Sequence, residues 1–86
     1  MKTFTNEFII IDYWWRNCST MGNPSYNITI EDSKGDFRRG HTASNSMAGY
    51  GIRNFKKGQK VKITYHYTQK NYNLIIDRIE EIKENA

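Results

Sequence analysis

An all-β fold, one small barrel carrying a single short helix, follows from two features of the chain. The first is the alternation of Val61, Ile63, Tyr65 and Tyr67 with Lys60, Lys62, Thr64 and His66, the period of a strand with one buried face. The second is that the apolar segments are short, with turn formers between them, and that only residues 42–51 suit a helix. The chain has 86 residues, which makes one domain that buries about two thirds of its unfolded surface. So small a core leaves little room for an enclosed catalytic cavity, and a surface site is expected.

The first strand is read over residues 2–15. Phe4, Phe8 and Ile10 fall on one side and Thr5, Ile9 and Ile11 on the other. Apolar residues on both faces suit a bent strand shared by two halves of a curved sheet. The strand ends in Tyr13-Trp14-Trp15-Arg16, where one tryptophan is expected to close an end of the core and the other to be partly exposed. Residues 16–24 form the first long loop, with Pro24 ending it outside any ladder. Tyr26, Ile28 and Ile30 define the second strand, Asp32-Ser33-Lys34-Gly35 its turn, and residues 36–41 the third strand. Phe37, Arg39 and His41 share one face of that strand, and Arg38 and Gly40 the other.

Thr42 and Ser44 are acceptable N-caps for a short helix stopped by Gly49 or Gly51. The principal hairpin covers residues 58–82, with a basic tip at residues 68–71 and a last strand over residues 72–79. A frayed tail is expected at residues 83–86. The predicted core is Phe8, Ile10, Tyr26, Ile28, Ile30, Val61, Ile63, Leu74 and Ile76.

The net charge of +4 is unevenly placed. Between Phe37 and Ile76 there is no Asp or Glu, yet Arg38, Arg39, Arg53, Lys56, Lys57, Lys60, Lys62 and Lys70 all fall there. Such a window points to a polyanion or an acidic protein surface as partner; the competing expectation is that flanking carboxylates balance it through space. The single Cys18 has no internal disulfide partner, and the longest apolar run, residues 8–11, is too short to span a bilayer. A cytoplasmic protein with no membrane association is expected.

Two strands, a third, a short helix and two more strands is an order that resembles the OB-fold, a five-stranded Greek-key barrel; an SH3-like barrel is the alternative. Gly22-Asn23-Pro24 with Tyr26, Gly49-Tyr50-Gly51-Ile52 with Asn54, and residues 76–79 also look similar to small proteins of phages and mobile elements, which implies a host-modifying or genome-handling context. The OB resemblance implies a ligand lying across the second and third strands, between the first loop and the loop joining strands four and five. That face offers Asn27, Thr29 and either Arg38 or Arg39, with Trp15 and Tyr72 as stacking groups at its edges, and it lacks a dense aromatic stripe.

Cys18, His41 and His66 lie at spacings unlike any zinc pattern, and no motif presents a nucleophile beside a base. No enzyme activity, metal or cofactor is expected. The start of the short helix has the chemistry of an anion cradle, built from its first N–H groups with Arg38, Arg39, His41, Thr42 and Ser44; simple capping by Thr42 or Ser44 is the plainer reading. The candidate ligand-binding set is therefore Trp15, Arg16, Asn27, Arg38, Arg39, His41, Thr42, Ser44, Lys60, Lys62, Lys70 and Tyr72. It suits a nucleic acid or nucleotide, or alternatively an acidic host protein docked by a phage-borne inhibitor.

Overall fold

The five strands of the computed structural model, which describes residues 2–18, 22–43, 48–68 and 73–82, close into a barrel. They are β1 (Thr3–Cys18), β2 (Pro24–Glu31), β3 (Phe37–Thr42), β4 (Lys60–Tyr67) and β5 (Leu74–Glu81). One helical turn, α1 (Ala48–Gly51), runs into a 3-10 turn (Ile52–Asn54) between β3 and β4. Around the barrel the order is β1-β2-β3-β5-β4, and β4 returns to β1. All pairs are antiparallel except β3 with β5, so the expected all-β barrel forms with an OB-like, Greek-key closure. No helix among the described residues is long and apolar enough to cross a membrane.

β1 serves both halves of the sheet, as its two apolar faces predict. Residues from Thr3 to Ile9 pair with β4, and those from Ile9 to Cys18 pair with β2. The register slips between Ile10 and Asp12, so Ile11 is an extra residue that turns the strand over. Inward positions therefore run Phe8, Ile10, Tyr13, Trp15, with a step of three at the bulge. β5 does the same at Asp77: Tyr65 faces Ile76 and Ile63 faces Ile79, although 76 and 79 differ by an odd number. All nine predicted core residues are buried, and Ile52 from the 3-10 turn joins them. At one end Phe4 stacks on Tyr65 with ring centroids 5.6 Å apart, and Phe8 and Tyr67 meet Tyr65 edge-on.

Three sequence expectations are corrected. Neither tryptophan closes the core: Trp14 is 45% exposed and Trp15 50%, while Tyr13 and Tyr26 pack there instead. Pro24 is paired, opposite Cys18, as the first residue of β2, a position where its missing N–H costs no inner ladder bond. Thr42 is no helix cap, because β3 extends through it and its buried hydroxyl accepts the Tyr26 N–H at 3.1 Å. Residues 44–47, the hairpin tip at 69–72 and the tail at 83–86 lie outside the described residues, and with them the expected helix start, much of the basic tip and the frayed tail.

Candidate functional site

The outer face of β1, β2 and β3 follows directly from the register. Ile28 and Ile30 point into the core, so Asn27, Thr29 and Glu31 point outward on β2. Asn27 lies between Trp14 and His41, Thr29 between Asp12 and Arg39, and Glu31 between Ile9 and Phe37. Directly opposed residues have Cβ atoms about 5 Å apart, so these rungs form one continuous surface. Two rings stand out on it: Trp14, and Phe37, which is 66% exposed. Arg39 lies one rung from each ring and makes no ion pair among the described residues.

The remaining polar groups on this face are partly committed. Asp12 is held by Lys57 at 2.9 Å, and its carboxyl lies below the usual aspartate range because it accepts hydrogen bonds from Lys57 and from the Tyr13 N–H. His41 donates from Nδ1 to the Thr42 carbonyl at 3.0 Å, which fixes its tautomer and leaves Nε2 to meet a ligand. The surface therefore offers two exposed rings, one unpaired guanidinium, one amide and one imidazole, with Glu31 at its edge.

The structure gathers only some of the predicted site residues here. Asn27, Arg39 and His41 belong to the face. Trp15 is on the inward side of β1, half-exposed at its end, with its ring edge-on to Tyr26 at 5.6 Å beside a cavity of about 300 Å³ lined by Gly22, Pro24, Gly49 and Tyr50. Arg16 is exposed at a second register shift between Trp15 and Asn17. Arg38, on the inward side of β3, emerges at the barrel mouth, where it donates to Tyr67 Oη at 2.7 Å and pairs with Asp32 at 3.2 Å. Asp32 is itself held below its ordinary pKa, first by the Asp36 N–H and then by Lys34 N–H and Arg38. Thr42 is buried and bonded within the fold. Ser44, Lys70 and Tyr72 lie outside the described residues.

Lys60 borders this face on β4, opposite Ile9, but is taken up by Glu7 at 3.5 Å, and Lys62 lies between Glu7 and Glu80 in register. The acid-free window of the sequence is thus not an acid-free surface. Antiparallel pairing brings carboxylates from both flanks to the lysines and arginines. The anion cradle is dismantled as far as it is described: the Ala43 N–H is spent on the Ile76 carbonyl at 2.8 Å, and Thr42 is in a strand.

Trp14 and Phe37 are the site residues that sequence reasoning missed. The signal for Trp14 was the three-residue step from Ile10 to Tyr13, which betrays the bulge that turns Trp14 outward. His66 Nδ1 and Asp77 Oδ2 are 2.7 Å apart, but among the described residues no three His, Cys, Asp or Glu side chains are placed to hold a metal ion. Compared with known proteins, the chain matches no family model and no curated sequence.

Proposed function

We propose that the protein is a non-enzymatic module that binds single-stranded nucleic acid or nucleotides on the outer face of β1, β2 and β3. The observation that carries this reading is the placement of Arg39 between two exposed rings, Trp14 and Phe37, on one sheet face. The rings are two strands and four residues apart, roughly 16 Å at their Cα atoms for ordinary strand spacings. Each can stack a base for about 1–3 kcal/mol, with Arg39 meeting a phosphate between them and Asn27 or His41 a base edge. Stacking carries more of this interaction than charge does, because Asp12 and Glu31 share the face.

Salt and substitution test the reading together. With one or two phosphates neutralised, log affinity for a labelled oligothymidine is expected to fall with log salt at a slope of about −0.7 to −1.4. Arg39→Ala should flatten the slope by about 0.7, and Trp14→Ala should weaken binding by about 5- to 100-fold with the slope unchanged. Replacing Lys60 and Lys62 together should alter neither quantity. Titrations by fluorescence anisotropy at several salt concentrations check this; a slope set by Lys60 and Lys62, or affinity indifferent to both Trp14 and Arg39, would refute it.

The same exposed rings favour one second reading, a protein-interaction module such as a phage-borne inhibitor of an acidic host protein, since Trp and Arg dominate protein-binding hot spots. Absence of oligonucleotide and nucleotide binding at low salt selects it. Arg39→Ala would then slow association with the acidic partner.

A further inference from the structure

A different part of the barrel leaves its hydrogen-bond ladder open. β1 pairs with β4 from Thr3 onward, but with β2 only from Ile9 onward. Ile10 donates its N–H to the Gln59 carbonyl and accepts from the Gly58 N–H, so its backbone groups point toward β4. Along the regular stretch before it, Phe8, Asn6 and Phe4 point the same way, and the N–H and C=O groups of Thr3, Thr5 and Glu7 point the opposite way. Among the described residues no strand lies on that side. Past Glu31 the chain leaves β1 through the turn at residues 32–36, where Gly35 supplies the required positive φ of 85°.

The space between this turn and β1 holds two adjoining cavities of about 320 and 330 Å³. Both are bordered by Glu7 and Phe8 on one side and by Asp32 and Ser33 on the other; the first also reaches Tyr65. The open row of backbone donors and acceptors therefore leads, at Glu7, into a space floored by Phe8 and Tyr65.

We propose that this edge accepts an extended peptide segment of a partner protein, added as a short antiparallel strand beside residues 3–7. Such strand addition draws its affinity from main-chain hydrogen bonds and its specificity from alternate side chains. The turn at residues 32–36 walls off the far side of the gap, so the occupant is one strand thick, and a second copy of the barrel does not fit. Its side chains opposite Asn6 and Phe8 point toward Phe8 and Tyr65 and are apolar. Those opposite Thr5 and Glu7 point outward and are polar. Around the gap Arg38 is paired with Asp32 and Lys60 with Glu7, and the two remaining charges, Lys34 and Glu31, are opposite in sign, so the lining has no net charge and the segment is uncharged. This site adjoins the Trp14–Arg39–Phe37 face at Ile9 and Glu31 but uses the open edge of β1, and it does not rest on the nucleic-acid reading.

The test uses an acetylated and amidated heptapeptide of alternating threonine and valine, with two N-methylated forms, one methylated at the threonines and one at the valines. Added to isotope-labelled protein, the parent peptide is expected to shift and protect the amides of Thr3, Thr5 and Glu7. Methylation at the threonines, whose N–H groups meet β1, should weaken binding by about tenfold or more, and methylation at the valines should leave it. Because the protein is unaltered, loss of binding does not reflect misfolding. The proposal is overturned if those three amides do not respond, if both methylated forms bind alike, or if ultracentrifugation shows a dimer joined through this edge.

Discussion

Ile28→Ala is expected to cost about 2–5 kcal/mol, a large share of the roughly 5–15 kcal/mol that holds a small domain together. Ile28 is 0% exposed and lies in register between Tyr13 of β1 and Gly40 of β3, at the centre of the most extensively paired part of the sheet. Removing its outer carbons leaves a cavity that neighbours cannot fill without moving strands already fixed on both sides. Ile63→Ala, equally buried on β4 between Asn6 and Ile79, should behave alike. Urea melts monitored by circular dichroism measure both. Losses under about 1 kcal/mol at both sites would mean that neither side chain is in the core.

Gly40→Ala carries the next largest effect, for a different reason. Gly40 faces inward on β3, paired with Ile28 on one side and Leu74 on the other. A methyl group there would collide with the Leu74 carbonyl oxygen and lie 2.7 Å from its Cδ2. The carbonyl belongs to the parallel β3–β5 pair, whose register among the described residues is the short run Gly40, His41 and Thr42. The clash must be relieved by parting those strands, at a cost of about 1–3 kcal/mol or more. For a domain of this length that lowers the melting temperature by about 4–8 °C per kcal/mol. Gly51→Ala is the matched control: nothing lies within 4 Å of its added carbon and its φ of −81° suits any residue, so its melting temperature should hardly change. Equal melting temperatures for the Gly40 and Gly51 variants would contradict the parallel closure.

The sequence was most informative where one face of a strand is buried and the period is unbroken. Val61, Ile63 and Tyr65 obey that rule without interruption, as do Tyr26, Ile28 and Ile30, and both strands were legible to within two residues. Bulges defeat it. One extra residue at Ile11 exchanges the faces of everything beyond it, which is why Trp15 was assigned to the ligand surface and Trp14 was missed. The charge window failed for a topological reason. A run without acids is local in the chain, whereas Glu7, Asp12 and Asp32 reach Lys60, Lys57 and Arg38 through pairing and turns that join distant segments. Thr42 misled by a smaller margin, because it has the side chain of a cap but satisfies the Tyr26 N–H from inside the barrel.

The role of the outer sheet face is tested most directly by mapping where an oligonucleotide touches the protein. Short oligothymidine titrated into isotope-labelled protein at low salt should move the Trp14 indole N–H and the signals of Asn27, Arg39, His41 and the Phe37 ring, while Lys60 and Lys62 stay still. The Trp15 indole should move less than that of Trp14, since its ring packs against Tyr26 on the other side of β1. Shifts confined to β4, or none up to millimolar oligonucleotide, the weak end of measurable affinity at about −4 kcal/mol, would contradict that role.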